Sequence, residues 1–153
     1  MDRAHEHKKD GPLDYNYITD GMYAGTNQCC ALGLAEVLKK EGITADISLE
    51  DVRLDHPFGV EMYLWLPTRN NTPPSPDQLR LGVQTLIELV RQKRKVYVHC
   101  KNGHGRTSTL LAAYFIARGK TVDEAIDIIK KGRSEIHLQD SQMKGLEDFK
   151  MHL

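Results

Sequence analysis

The residues with the clearest chemical potential lie between Cys100 and Arg106. Five residues separate this cysteine from this arginine, and two of the five are glycines, Gly103 and Gly105. Glycine lets the backbone curl so that successive N–H groups point inward and form a nest for an anion. A helix that begins near Gly105 would add the positive end of its dipole. The segment therefore predicts a phosphate cradle that favours thiolate over thiol at Cys100.

Side chains around this cradle are suited to the rest of a displacement at phosphorus. Arg106 has a planar guanidinium that can contact two phosphoryl oxygens and follow them as the phosphorus becomes trigonal bipyramidal. Thr107 can donate its hydroxyl to the sulfur when the thiolate leaves, whereas His99 is expected to hold the loop by hydrogen bonds rather than to attack. For His104, a solvent-facing position without substrate contact is the alternative to phosphate binding. The residues expected to bind phosphate are Lys101, Asn102, Gly103, His104, Gly105 and Arg106.

Apolar periodicity places the cradle between a strand and a helix. The run from Val96 to Cys100 is apolar and rich in β-branched residues, and a helical apolar pattern follows Arg106. The other predicted strands lie at 15–19 and 22–24, which are joined by an Asp20-Gly21 turn, and at 45–49 and 60–66.

Capping residues predict where the helices begin. The expected caps are Asn27 for a helix to about Glu41, the capping box Ser75-Pro76-Asp77-Gln78 for a helix to about Lys93, the capping box at Thr121, and Asp140 for the last helix. Strands interleaved with helices predict an α/β sandwich, in which helices flank a central twisted sheet of about four or five strands. Such sheets bind ligands at the carboxyl ends of their strands, where Cys100 lies.

Length and composition fit a single domain over residues 13–153, preceded by a charged, flexible tail at 1–12. The 21 basic and 21 acidic residues give no overall field that would favour nucleic acid. No apolar run approaches the ~20 residues of a membrane span. Three cysteines do not make a disulfide framework, and a reactive thiolate needs reducing surroundings. We therefore expect a cytoplasmic monomer without metal or other cofactor. Cys29 and Cys30 either fill space or protect an oxidised Cys100, in which case one of them would form a disulfide with it.

The cradle and its flanks carry a family resemblance. The segment His99-Cys100-Lys101-Asn102-Gly103-His104-Gly105-Arg106-Thr107 resembles the H-C-x5-R-[ST] signature of cysteine-dependent protein tyrosine and dual-specificity phosphatases. The resemblance implies a dual-specificity-phosphatase-like sandwich over the single catalytic domain. It also implies two-step hydrolysis of phosphorylated proteins or small phosphomonoesters through a phosphocysteine.

A second resemblance extends beyond this signature. The segments from Leu66-Pro67-Thr68 to Gln78-Leu79, Gly82-Val83 and Val96-Tyr97-Val98 resemble small dual-specificity phosphatases and, equally, the tyrosine-phosphatase-like phosphatidylglycerophosphate phosphatases. The segment 133–137, followed by Gln142, is similar to one common in the latter group, and Lys101 resembles the loop start of several lipid-phosphate phosphatases. A phospholipid, either phosphatidylglycerophosphate or a phosphoinositide, is therefore the alternative substrate.

One position departs from the family pattern. The family places its general-acid aspartate on the loop after the strand that ends here near Leu66, and alignment of the proline-containing segments puts that position at Asn70. An amide cannot protonate a leaving oxygen, so acid catalysis is expected to be reduced or altered. Asp77 or Asp55 could substitute as the acid. Alternatively, the protein recognises phosphorylated partners with little turnover.

Overall fold

The computed structural model describes residues 13–26, 31–52 and 59–153. The predicted tail at 1–12, the helix cap Asn27, Cys29, Cys30 and Asp55 lie outside these residues. Within the described ranges the elements, in chain order, are β1 (Tyr15–Thr19), β2 (Met22–Thr26), α1 (Ala31–Glu41), β3 (Ala45–Ser48), β4 (Met62–Trp65), α2 (Pro76–Arg91), β5 (Val96–Cys100), α3 (Arg106–Ala117), α4 (Val122–Gly132) and α5 (Asp140–Met151). The predicted α/β architecture is confirmed.

The described strands form one five-stranded sheet in the order β1-β2-β5-β3-β4. Strand β1 pairs with β2 in antiparallel orientation, and the pairs β2–β5, β5–β3 and β3–β4 are parallel. In this register Thr26 is paired with Cys100, and Ser48 with His99. Because the carboxyl ends of parallel strands share one edge, Cys100 lies at that edge on the central strand, as the sequence predicts.

The hairpin between β1 and β2 has the predicted turn. Asp20 and Gly21 have positive φ values of 55° and 84°. Two successive positive φ angles are typical of the tight turns whose twist matches that of paired strands. The turn therefore aligns β1 beside β2, which is itself paired with the strand that ends in Cys100.

Both predicted capping boxes are confirmed, and one other predicted cap is wrong by one residue. Ser75 and Thr121 each accept a hydrogen bond from the backbone N–H three residues on, and a side chain returns the bond in both helices. In α5 the N-cap is Gln139, whose backbone is extended and whose N–H donates to Gln142 Oε1 at 2.8 Å. Asp140 is instead the first helical residue, where its charge lies close to the positive end of the helix dipole.

The ends of several strands and helices differ from the predicted ones, because strand pairing and solvent exposure determine where they end. Strand β4 covers only Met62–Trp65, at an edge of the sheet where both of its terminal residues are exposed. Strand β2 extends to Thr26, since its pairing with β5 continues as far as Cys100. Helix α2 ends at Arg91, and Lys93 has a positive φ of 60°.

Helices cover both faces of the sheet. On one face α3 contacts α2, α4 and α5, and every residue from 106 to 116 is buried. On the other face Leu34 and Leu38 of α1 pack with Tyr97 of β5 in a separate apolar cluster. No helix in the described parts of the chain is long and apolar enough to cross a bilayer. The loop between β5 and α3 is thus held between a buried strand and a buried helix.

Candidate active site

The cysteine of the predicted cradle is buried under its own loop. Cys100 is 2% exposed, and its Sγ accepts a hydrogen bond from the Gly103 N–H at 3.3 Å. Gly103 has a φ of +70°, and a Cβ atom there would lie 2.5 Å from the carbonyl oxygen of Gly25. Only glycine therefore fits this position, and the loop curls back over the sulfur. An N–H that donates to sulfur stabilises the thiolate more than the thiol.

The guanidinium of Arg106 is buried at the start of α3. Its Nη1 donates to the Thr68 carbonyl at 2.8 Å and lies 3.2 Å from Asp51 Oδ1. Its Nε is buried without a hydrogen-bond partner among the described residues. A buried N–H left unpaired is costly, so an oxyanion within the loop would be stabilised by this donor.

Two acidic residues near Arg106 were not identified as site residues from the sequence. Asp51 Oδ1 is 3.2 Å and Glu50 Oε1 is 3.9 Å from Arg106 Nη1. The Glu50 side chain is 5% exposed, whereas that of Asp51 is 32% exposed. An available signal was the acidic pair directly after a buried strand, at the sheet edge that carries the cradle. These carboxylates hold the arginine and offset part of its charge.

The segment that carries Asn70 is anchored on both sides. Before it, the buried Thr68 accepts the hydrogen bond from Arg106. After it, the Asn71 carbonyl accepts from the Ser141 hydroxyl at 2.7 Å, at the start of α5. Asn70 itself is exposed, and its Oδ1 accepts from the Asn71 N–H at 3.1 Å. The predicted general-acid position therefore lies on a loop tied to Arg106, while its role in proton transfer stays a prediction.

Asp77, one of the two predicted substitutes for the acid, lies in the first turn of α2. Its side chain is 94% exposed and lies 3.2 Å from Arg80 Nη1. A carboxylate at this position interacts favourably with the positive end of the helix dipole. This position favours the interpretation of Asp77 as a helix-stabilising charge rather than an acid.

The histidine before the cysteine forms a buried pair with the neighbouring strand. His99 Nε2 lies 2.7 Å from Asp46 Oδ1, and both side chains are fully buried. This contact goes to β3, and the predicted hydrogen bonding of His99 to the loop stays a prediction. Asp46 was missed, although a single acidic residue in the buried strand Ala45–Ser48 was a signal for a paired polar group. The pair fixes the strand that delivers Cys100.

Thr107 is fully buried in the first turn of α3, directly after Arg106. Its hydroxyl has no hydrogen-bond partner within the described ranges. A threonine hydroxyl that is not engaged elsewhere is available as a donor. Its assistance to the departing thiolate stays a prediction.

The outer residues of the loop differ in exposure. Lys101 and Asn102 are exposed, and His104 is partly exposed. His104 Nδ1 lies 2.7 Å from the Glu135 carbonyl, and because a carbonyl only accepts, this nitrogen is the donor. The contact fixes the ring against the segment between α4 and α5. Phosphate binding by these three side chains stays a prediction.

A second buried arginine, missed as a site residue, contacts the same loop from outside. Arg133 is 4% exposed and donates from Nε to the Gly103 carbonyl at 3.0 Å and from Nη2 to the Asn102 carbonyl at 2.9 Å. In the sequence, Arg133 stands out only as part of the segment 133–137, which resembles one in the phosphatidylglycerophosphate phosphatases. In the described part of the chain, no cluster of three or more His, Cys, Asp or Glu residues is arranged to hold a metal ion.

Comparison with known proteins connects this geometry to a family. The family model described as "Dual specificity phosphatase, catalytic domain" matches residues 23–152. The human phosphatidylglycerophosphatase and protein-tyrosine phosphatase 1 is 40% identical over 77 residues, which are 50% of this chain and 38% of that protein. Human dual specificity protein phosphatase 4 is 27% identical over 145 residues, which are 94% of this chain and 36% of that protein. The chain thus spans well under half the length of these curated relatives.

Solved structures share the fold. The crystal structure of PTPMT1 in complex with PI(5)P has a TM-score of 0.77 and 25% sequence identity, and the match covers 90% of this chain and 95% of that one. A mouse putative dual specificity phosphatase complexed with zinc tungstate has a TM-score of 0.80, 20% identity, and coverage of 94% and 91%. At that identity the second likeness supports the fold alone, and it confirms the predicted sandwich.

Proposed function

The chain belongs to the dual specificity phosphatase catalytic-domain family, and we propose that it hydrolyses phosphomonoesters with Cys100 as nucleophile. Arg106 binds the phosphoryl oxygens, Thr107 assists departure of the thiolate, and His99 positions the nucleophile's strand. The remaining phosphate contacts come from the loop residues Lys101, Asn102, Gly103, His104 and Gly105. This assignment makes the loop at the end of β5 the catalytic site.

The proposed reaction has two steps. The Cys100 thiolate attacks phosphorus in line, so that an S–P bond forms while the P–O bond to the leaving group breaks. The leaving oxygen takes a proton from solvent water and departs as an alcohol or phenol. Water then attacks the phosphocysteine, the S–P bond breaks, and inorganic phosphate and the thiolate are released.

The observation that carries this proposal is the contact between the loop and the sulfur. The Gly103 N–H donates to Cys100 Sγ at 3.3 Å, and the unpaired Nε of Arg106 is buried at the other end of the same loop. One donor supports the nucleophile, and the other supports the charge that develops on the phosphoryl oxygens. A cysteine that only fills the core would explain neither feature.

The direct test compares the wild type with Cys100→Ser on an aryl phosphate. We expect hydrolysis to fall to the background rate, while binding of inorganic phosphate and the circular dichroism spectrum are retained. A Cys100→Ser protein that still hydrolyses the substrate would reject the nucleophile. A wild type that binds phosphotyrosine peptides without multiple turnover would instead identify a phosphate-recognition module.

Asn70 at the general-acid position sets the expected substrate dependence. Without a proton donor, esters with poor leaving groups react slowly, whereas aryl phosphates with acidic phenols need little help. We expect Asn70→Asp to raise kcat by up to ~10²-fold for the poorest leaving groups and little for the best. The measurement is kcat across aryl phosphates of graded leaving-group acidity. An equal effect on every member would reject this assignment.

A second candidate substrate is a phospholipid. The sequence similarity to the human phosphatidylglycerophosphatase supports it. Phosphatidylglycerophosphate and phosphoinositides in mixed micelles should then be hydrolysed faster than phosphopeptides. Inert lipids beside active phosphopeptides would exclude this substrate.

We also propose the setting in which the protein works. Residues 13–153 form one catalytic domain. A thiolate nucleophile supports a reducing, cytoplasmic location. A monomer is the expected state, which light scattering of the purified chain would test.

A further inference from the structure

Arg133 lies on the outer side of the catalytic loop, in the segment that follows α4. Its guanidinium donates to two loop carbonyls, those of Asn102 and Gly103, at 2.9 and 3.0 Å. On its other side it donates to Asn16 Oδ1 at 2.8 Å and lies 3.3 Å from Asp14 Oδ2. One buried cation thus joins β1 to the backbone of the loop.

The orientation of these carbonyls determines where the neighbouring N–H groups point. No cis peptide bond occurs among the described residues, and in a trans peptide the C=O and N–H point in opposite directions. When Arg133 binds the Asn102 carbonyl on the outer side, the N–H of Gly103 is directed inward. That N–H is the donor to Cys100 Sγ at 3.3 Å. The Gly103 carbonyl orients the N–H of His104 in the same way.

We propose that Arg133 is a positioning residue that directs the Gly103 and His104 N–H groups toward the cradle and thereby favours the Cys100 thiolate. A cation bound to a carbonyl polarises the peptide group and makes its N–H a stronger donor. Arg133 acts through the peptide groups and touches neither the sulfur nor the substrate. The part of this inference that concerns bound phosphate rests on the proposed function, whereas the effect on the sulfur does not.

The arginine fork is required for this role, because separate nitrogens bind the two carbonyls. Nε serves Gly103 and Nη2 serves Asn102, while Nη1 holds Asn16. A lysine ammonium carries the same charge but has no planar fork, so it cannot keep all three contacts. The conservative variant Arg133→Lys therefore separates orientation from charge.

Other charged or titratable groups around the loop bear on any pH profile. They act in wild type and variants alike, because the Arg133 substitutions leave them in place. Those that belong to the loop, or that contact it, its two arginines or the preceding His99, are Asp14, Asp46, Glu50, Asp51, His99, Lys101, His104, Arg106 and Glu135.

The test measures alkylation of Cys100 by iodoacetamide against pH, read by mass spectrometry on the peptide that contains this residue. Wild type is compared with Arg133→Met, Arg133→Lys and the surface control Arg118→Met. Arg118 is exposed at the end of α3. We expect the midpoint of the rate–pH profile to rise in Arg133→Met, with alkylation at acidic pH slowed about tenfold. Arg133→Lys should be slowed severalfold, and Arg118→Met should match the wild type.

The variants give distinct results for charge, orientation and folding. An Arg133→Lys profile identical to wild type would overturn the orienting role, since charge alone would then suffice. An Arg133→Met protein that keeps its fold and the wild-type profile would overturn the inference altogether. If Arg133→Met does not fold, Arg133→Lys decides. A wild type without phosphatase turnover would reject the proposed function, yet the alkylation profiles would still decide the role of Arg133.

Discussion

Two buried arginines lie at the same loop and differ in how completely they are paired: Arg106 begins the helix at its end, and Arg133 binds its backbone carbonyls. Arg133, on the outer side, donates from all three of its nitrogens to oxygen atoms of the protein. Arg106, at the inner end of the loop, is held through Nη1, while its Nε has no partner in the described ranges. A saturated guanidinium acts as scaffold, whereas one that keeps a spare buried donor can bind a ligand. The pairing pattern therefore distinguishes the structural arginine from the proposed catalytic one.

The carboxylates that lie beside the two arginines also differ, in how far they are exposed to solvent. Arg106 lies near Glu50 and Asp51, whose side chains are 5% and 32% exposed. Arg133 has Asp14, whose side chain is 64% exposed and therefore screened by solvent. Hydrogen bonds to carbonyls, rather than the ion pair, should then hold Arg133 in place.

The largest expected effect comes from replacing each arginine by lysine, which tests whether the two residues differ in function. Arg106→Lys should lower kcat/KM by about 10²–10³-fold, because the bidentate contact to the phosphoryl oxygens is lost. Arg133→Lys should lower it by at most about tenfold, because only the loop's orientation is affected. Steady-state kinetics on an aryl phosphate provide the measurement. Equal losses in the two variants would remove the distinction between ligand-binding and scaffold arginine.

The loop backbone offers the next largest effect. Gly103→Ala should lower the free energy of unfolding by roughly 2–5 kcal/mol, through positive-φ strain and collision with the Gly25 carbonyl. Gly119→Ala is the matched control, because Gly119 also has a positive φ, of +99°, but nothing lies within 4 Å of its Cβ position. The Gly119→Ala substitution should lower the free energy of unfolding by about 1–2 kcal/mol. Urea unfolding measures both, and equal losses would show that the close approach at Gly103 is unimportant.

A smaller effect is expected at the ion pair on the outer side. Asp14→Asn should change kcat/KM by less than about twofold, because an exposed pair contributes little and Arg133 keeps both loop carbonyls. The Cys100 alkylation profile should also stay at its wild-type position. A tenfold loss of activity would show that the charge on Asp14, not the carbonyl contacts, holds Arg133.

The smallest effect concerns β1, the strand on which Arg133 is anchored through Asn16. Tyr15 donates to Glu41 Oε2 at 2.7 Å, and this bond, with burial, raises the pKa of Tyr15 from 10.0 to about 12. Because the folded-state pKa is raised, the protonated phenol stabilises the fold below about pH 10, and this contribution is lost as the pH approaches 12. Thermal unfolding should show this decline in wild type. In Tyr15→Phe the decline between these pH values should be shallower, and an unchanged slope would contradict the assignment.

Features fixed by nearby residues could be predicted from the sequence. The strand, glycine loop and helix around Cys100, the Asp20-Gly21 turn and the caps at Ser75 and Thr121 all depend on residues within a few positions of each other. The wrong cap at Asp140 shows that the exact first residue of a helix is harder to predict, because the neighbouring Gln139 caps the free backbone N–H groups instead. The short β4 reflects its edge position, which local periodicity does not reveal.

Contacts between distant segments could not be predicted in this way. Asp51 meets Arg106, and Arg133 meets Asn16, only because the sheet order brings their segments to one edge. Periodicity identifies a buried strand but not the partner of a polar residue within it, so the pairing of Asp46 with His99 was missed. Tertiary pairing of charged groups was thus the missing part of the site.

The most direct test of the account is to trap the intermediate on Cys100. The wild type would be mixed with an aryl phosphate, denatured within the first turnover, and digested for mass spectrometry. The account predicts one phosphoryl group on the Cys100 peptide, formed as the phenol is released and absent from Cys100→Ser. Turnover with no phosphoryl group on Cys100, or with the group on another residue, would contradict it.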